Sequence, residues 1–163
     1  MLVGIMSDSH GRHLAVRAAV ALFDSLGVRH LVHCGDVGGS DVFDELIGRP
    51  FDFVWGNTDQ ADDGLVAYLS SLGVKLPEAS PVVLELDGST LAVFHGHEPA
   101  FSRALRELQV DYILHGHTHA VRDERRRRTR IINPGALHRA TPKTVATLDT
   151  QTDVLTFHEI KSL

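Results

Sequence analysis

Short apolar runs and helical stripes alternate along the first half of the chain. Leu2 to Met6 is a continuous apolar run of buried-strand type. Leu14, Ala18, Leu22 and Leu26 then recur at helical spacing, and Gly27 stands where a helix stop belongs. A strand is predicted from Leu31 to Cys34. A short helix follows with Ser40 or Asp41 as N-cap, an apolar face of Val42, Phe43, Leu46 and Ile47, and Gly48 behind it. Phe51 to Trp55 reads as a third strand. Leu65, Val66, Leu69 and Leu72 mark another helix, closed by Gly73.

The second half is richer in strands. Val82 to Leu86 and Thr90 to Phe94 flank Asp87-Gly88, a hairpin signal. Glu98 and Pro99 open a helix carrying Phe101, Leu105 and Leu108, since proline suits a first helical turn. Tyr112 to Leu114 is a short strand, Val121 to Ile132 a hairpin around an arginine-rich turn, and Thr144 to Leu148 with Val154 to His158 a final strand pair. Strand-helix-strand units imply parallel strands under helices, and the late hairpins imply a mixed second sheet. The expected fold is an α/β layered sandwich of two mixed β-sheets flanked by helices. With no repeat and no linker in its 163 residues, a single domain over 1–163 is expected.

Polar residues fall in this pattern with a regularity of their own. Ile5-Met6-Ser7 leads to Asp8, and the strand ending at Cys34-Gly35 leads to Asp36. Trp55-Gly56 leads to Asn57, Val93-Phe94 to His95, and His115-Gly116 to His117. Five apolar strands thus run into residues able to bind metal, and ligands in α/β sheets collect at strand carboxyl ends. Gly35, Gly56 and Gly116 each precede one of these tips, where a tight turn beside a site needs close backbone approach.

Composition sharpens the chemistry. Eleven histidines are present, with His95 near His97, His115, His117 and His119 in a row of alternate positions, and His10 two residues after Asp8. Histidine is the commonest metal-binding side chain. Carboxylate, imidazole and one amide, without thiolate, speak against a structural zinc site and suit manganese first, with iron, zinc, nickel or cobalt as alternatives. Seven donors exceed what one ion with an open position needs. Divided between two ions that share a carboxylate, they give the arrangement of a two-metal hydrolase.

Hydrophobic residues at 43% and charged residues at 23% are ordinary for a soluble globular protein. A net charge of −5 argues against nucleic acid as the main partner. No apolar run reaches the ~20 residues of a membrane span. The opening segment has no basic stretch and its apolar run is broken by Gly4, so no export signal is expected. The single cysteine, Cys34, excludes an internal disulfide and is consistent with a reducing cytoplasm.

Taken in order, Asp8-Ser9-His10, Gly35-Asp36, Gly56-Asn57, His95 and Gly116-His117-Thr118-His119 resemble the motif series of the calcineurin-like metallophosphoesterase superfamily, and the form Gly56-Asn57-Thr58-Asp59 resembles its small prokaryotic phosphodiesterases. The resemblance implies a metal-dependent phosphodiesterase in which Asp8, His10 and His119 hold one ion, Asn57, His95 and His117 the other, and Asp36 bridges them. A bridging hydroxide would attack phosphorus in line with the leaving oxygen of a small phosphate ester. Phosphomonoesters or cyclic nucleotides are alternative substrates. A retromer subunit of this fold works mainly through protein contacts, so a non-catalytic scaffold is the rival of another class; its site departs from the pattern that is intact here. Self-association into a homo-oligomer is left open.

Many members of the superfamily carry histidine, thought to protonate the leaving group, where this chain has Thr58. Threonine is a poor general acid, so either good leaving groups are preferred or another donor serves, and His97 is the candidate. His33 and His115, each two residues before a proposed ligand, read as core histidines or supports of the site. His13, His30, His138 and His158 read as ordinary. Arg125 to Arg128 read as a solvated turn, with a polyanion clamp as the alternative, and Asn133-Pro134-Gly135 as a turn.

Overall fold

The computed structural model of the protein describes residues 1–161; residues 162 and 163 of the expected domain lie outside these. The first half forms β1 (Leu2–Met6), α1 (His13–Leu26), β2 (His30–His33), α2 (Ser40–Leu46), β3 (Phe51–Phe53) and α3 (Asp63–Ser71). The second half forms β4 (Val82–Leu86), β5 (Ser89–Val93), α4 (Pro99–Glu107), β6 (Tyr112–Leu114), β7 (Arg122–Arg126), β8 (Thr129–Asn133), β9 (Thr144–Asp149) and β10 (Val154–Glu159).

Two five-stranded sheets result, in the orders β10-β9-β1-β2-β3 and β4-β5-β6-β8-β7. In the first, β1, β2 and β3 are parallel, β9 runs antiparallel to β1, and β10 antiparallel to β9. In the second, β5, β6 and β8 are parallel, and β4 and β7 are antiparallel edges. The last strand pair therefore joins the first sheet, through β9 against β1 with Ile5 opposite Ala146. Periodicity identifies such a pair but carries no information about its distant partner.

Alternation along the strands sorts the apolar side chains into layers. Val3, Ile5, Val32, Cys34, Leu91, Val93, Tyr112, Leu114, Ile132, Ala146 and Leu148 fill the core between the sheets. Their strand neighbours face outward. Met6, Leu31 and Phe53 meet Val16, Val20 and Phe23 of α1, Phe43 and Leu46 of α2 and Leu69 of α3. Ala92, Ile113 and Ile131 meet Phe101 and Ala104 of α4. Gly4 is the contact point for α1: a Cβ there would stand 2.9 Å from the Phe23 ring.

Two local expectations shift. Val16, Ala19, Val20 and Phe23 are the buried residues of α1, while Leu14 and Leu26 are exposed. The predicted stripe lies along one border of the buried face, because valine and alanine point at the sheet more directly. The residue capping α2 is Gly39, without a side-chain hydrogen bond, and Ser40 begins the helix. The glycine pair Gly38-Gly39, both at positive φ, sets that boundary in place of a polar cap. Cys34, expected within the strand, lies just past the end of β2 and is fully buried in the inter-sheet core.

Candidate metal centre

The carboxyl ends of β1, β2 and β3 meet those of β5, β6 and β8 along one edge of the sandwich. Backbone hydrogen bonds tie the tips together: Asp8 N donates to Gly35 O, His10 N to Asp36 O, and Gly116 N to His95 O. Asp8, His10, Asp36, His117 and His119 all adopt left-handed backbone, with φ of 54°, 44°, 53°, 67° and 56°. Non-glycine residues are uncommon there, and each costs about 1–3 kcal/mol that the surrounding structure must offset. The strain turns successive side chains toward one point. Two glycines make the approach feasible. A Cβ on Gly56 would collide with the Asp36 carboxylate, and one on Gly116 with the Ser7 hydroxyl.

Asp36 stands in the middle. Its Oδ2 is 3.4 Å from His10 Nε2 and 3.4 Å from His95 Nε2. On one side, Asp8 Oδ1 lies 3.2 Å from His119 Nε2 and 4.0 Å from His10 Nε2. On the other, Asn57 Oδ1 lies 3.0 Å from His95 Nε2. Asp8, His10 and His119 form one group of converging donor atoms, and Asp8, Asp36 and His95 a second. The His117 ring packs 5.1 Å from that of His95, outside those two groups. His97 is exposed and 6.2 Å from His117 ring to ring, and its Nδ1 is 3.8 Å from the Glu98 carboxylate.

Hydrogen bonding fixes which atoms face inward. Cys34 O, which can only accept, lies 2.8 Å from His95 Nδ1, so that nitrogen carries the proton and Nε2 presents a lone pair when the ring is neutral. Asp8 Oδ2 accepts from Ser7 Oγ at 2.6 Å and His117 N at 3.1 Å, leaving Oδ1 free. Asp8 Oδ1 and His10 Nε2 are buried without any hydrogen-bond partner. Buried polar atoms are normally paired, and orphans of this kind mark a missing ion or a functional atom. Carboxylate oxygens, imidazole nitrogens and an amide oxygen converging with few protons between them suit a divalent cation.

The electrostatics agree. Burial alone would raise the Asp36 carboxyl, but His95 and the Thr58 N–H at 2.9 Å outweigh it and hold the group well below its ordinary range. Burial works to lower His95, yet the Asp36 contact leaves its pKa raised. Burial pushes His33 down to about 3 and His115 down to about 4, so both are neutral rings near pH 7.

Several supporting residues escape simple motif reading. Glu98 accepts from His95 N and Gly96 N, at 2.8 and 2.6 Å, and from Ser80 Oγ. Asp59 accepts from Gly56 N and Gly38 N, binding the third tip to the second. Each acid stands three residues after one of the backbone groups it holds, a spacing visible in the sequence. His33 Nε2 pairs at 2.8 Å with Ser9 Oγ, which also donates to Val37 O. His33 thus steadies the segment between Asp8 and His10. Asn133 Nδ2 donates to Gly116 O, and His115 packs 4.7 Å from Phe101, ring to ring. His138 is not an ordinary surface residue: its ring lies 5.2 Å from that of His10, and Arg12 Nε donates to its Nδ1. Chain distance hides this contact. By contrast Arg125 pairs with Asp153 and Arg126 with Glu124, in an exposed hairpin.

Residues 1–153 match the model of the calcineurin-like phosphoesterase superfamily domain. The chain is 28% identical over 138 residues to phosphodiesterase MJ0936 of Methanocaldococcus jannaschii, covering 83% of each. It is 27% identical over 144 residues to a probable metallophosphoesterase of Methanothermobacter thermautotrophicus, covering 83% of this chain and 77% of that one. A solved structure described as a novel archaeal phosphodiesterase superposes with a TM-score of 0.86 at 25% identity, covering 98% of this chain and 99% of the other. Vps29 of Entamoeba histolytica complexed with zinc shares the fold, with a TM-score of 0.67 at 20% identity over 98% of this chain and 91% of that one.

Proposed function

Because the chain belongs to the calcineurin-like phosphoesterase superfamily, we propose that it is a metal-dependent phosphodiesterase acting on small phosphate diesters, with one such domain extending over residues 1–163. The observation that carries the reading is the placement of Asp36, one oxygen of which is equidistant from His10 Nε2 and His95 Nε2. A carboxylate so placed suits sharing between two ions. Asp8, His10 and His119 would hold the first, and Asn57, His95 and His117 the second. Manganese is the first choice for this oxygen and nitrogen donor set, with iron, zinc, nickel or cobalt as the alternatives. When bound, such ions supply Lewis acidity, neutralising charge on the phosphoryl oxygens and making water acidic enough to act near neutral pH.

The chain's own residues perform the positioning. Ser7 and the His117 N–H hold the Asp8 carboxylate so that Oδ1 faces the site. Cys34 O holds the His95 ring so that Nε2 faces it. Partners of this kind typically contribute 10–100-fold in metal affinity or activity. Thr58 Oγ1 lies 3.4 Å from His10 Nδ1 and orients that ring, a role that needs no proton transfer to substrate. The proton for the departing oxygen comes from His97, which is exposed on the other flank, beside His95 and His117.

The test is a panel of phosphate monoesters, diesters and cyclic nucleotides on protein reconstituted with each metal, alongside Asp36→Asn. Diester turnover is expected to be abolished by a chelator. Asp36→Asn is expected to lose at least about a hundredfold in activity, since even outer-shell partners of a metal cost up to that much. Full activity and full metal content in Asp36→Asn would overturn the shared-carboxylate reading. Turnover confined to monoesters would overturn the diester preference.

A further inference from the structure

A cavity of about 560 Å³ adjoins the metal centre through Thr58 and Gly38, both of which touch His10. Its lining includes Ser40 at the start of α2, Thr58, Asp59 and Gln60 after β3, and Leu65 and Tyr68 of α3. Thr58 belongs to both places: its N–H donates to Asp36 Oδ1 and its hydroxyl lies against His10 Nδ1. Gly38 packs so closely on His10 and Gly11 that a side chain there would collide with their backbone. A group attached to phosphorus at the donor cluster can therefore extend past Thr58 into this cavity. The volume falls in the range of small-molecule pockets.

The lining specifies what fits. Leu65 and the Tyr68 ring offer apolar surface, and Ser40, Thr58 and Gln60 offer neutral hydrogen-bonding groups. The charged lining residues are both acids, Asp59 and Asp62, and the cavity has no lysine or arginine. Asp59 is occupied by the N–H groups of Gly38 and Gly56, and Asp62 by that of Leu65. A third carboxylate, Asp44, accepts from the Tyr68 hydroxyl at 2.6 Å and pushes that phenol's pKa up, so the ring is an uncharged surface tethered at its tip. The wall can take a planar, uncharged, hydroxyl-bearing group and disfavours an anionic one, as like charges without a counter-ion do.

We propose that this cavity binds the alcohol that remains on phosphorus after hydrolysis, and that it selects an uncharged group of nucleoside size, stacked on Tyr68, over one bearing a further phosphate. The inference rests on the phosphodiesterase reading. It is compatible with the departing group lying toward His97, on the other side of Asp36.

Three p-nitrophenyl diesters separate the possibilities, differing only in the retained group: methyl, thymidine 5′-, and 3′-phosphorylated thymidine 5′-. All release the same nitrophenolate, so differences in kcat/KM report the cavity. The thymidine ester is expected to exceed the methyl ester, and to exceed its 3′-phosphorylated form by roughly tenfold. Tyr68→Ala is expected to lower the thymidine-to-methyl ratio by roughly fivefold, mainly through KM, whereas Tyr68→Phe, which keeps the ring and loses only the bond to Asp44, is expected to retain most of it. Ser40→Trp, which fills the mouth, is expected to lower the ratio as well. Because the ratio is taken within each protein, partial unfolding cancels. Chelator-sensitive turnover of all three esters with equal kcat/KM, or an unchanged ratio in Tyr68→Ala and Ser40→Trp, would overturn the cavity assignment and leave the phosphodiesterase reading standing. Absence of chelator-sensitive turnover of every ester would overturn both.

Discussion

Single residues divide the labour at this site. Those in the D-x-H, GD, GN and GHxH motifs were legible because each demands a particular donor atom at a strand end. The residues holding them were not. Ser7, Asp59 and Glu98 act on backbone and side-chain groups near in sequence, yet serine and acids in loops have many other uses. His138 reaches His10 across 128 positions, a contact that no local spacing encodes. His97 illustrates the opposite case. It is exposed, packs beside the His95 and His117 rings and lies outside both groups of converging donors, a position compatible with the proposed role as an acid. For His97→Ala, turnover of alkyl diesters with poor leaving groups is expected to fall by at least about a hundredfold, with a much smaller fall for p-nitrophenyl esters. A plot of rate against leaving-group pKa measures this, and parallel plots for the two proteins would exclude His97 as the donor.

At the level of elements, the strands and helices were readable from periodicity because most bury one face only. Pairing was less so. The order of β8 between β6 and β7, and the return of β9 to β1, arise from contacts between distant segments. Two strand ends carry a consequence for stability. His33 ends β2 and His115 follows β6, and both are buried rings whose pKa values lie near 3 and 4 instead of near 6.5. Below about pH 6.5 the unfolded chain takes up protons at these positions that the folded chain refuses. The unfolded state then binds more protons, so stability falls as pH falls, by up to about 1.4 kcal/mol per pH unit for each histidine. The loss runs from about pH 6.5 down to about 4, where His115 protonates in the folded state, and continues more gently to about 3. Urea midpoints measured on chelated protein from pH 7.5 to 4 are expected to decline along this slope, and less steeply in His115→Gln. An identical slope in that variant would show that His115 does not contribute.

For the molecule as a whole, the sandwich brings six parallel strand ends, three from each sheet, to a common edge. Loops from the two sheets are joined there through the site side chains, His117 N donating to Asp8 Oδ2 and His95 Nδ1 to Cys34 O, so the site is part of what joins the two layers. Metal binding and folding are then linked. An ion present at about a hundred times its Kd stabilises by about 2.7 kcal/mol per site. For a chain of this length that corresponds to roughly 5–10 °C in melting temperature. Differential scanning fluorimetry with and without chelator is expected to show at least this drop in wild type and a smaller one in Asp36→Asn. No described helix is long and apolar enough to cross a membrane.

The left-handed backbone at Asp8, His10, Asp36, His117 and His119 reaches further than geometry. Besides glycine, aspartate, asparagine and histidine are the side chains most often found at such dihedrals. These positions therefore have a restricted alphabet, and three of its four letters carry a donor atom. Exchange among them swaps oxygen for nitrogen, or charge for neutrality, at nearly constant backbone. Glutamate or cysteine would bring a new donor only by reshaping the loop. Metal preference in this lineage can thus drift independently of the fold, along a short list of substitutions. The same alphabet governs mutagenesis: alanine at these sites removes a donor and rebuilds a turn together, whereas asparagine for aspartate isolates the charge.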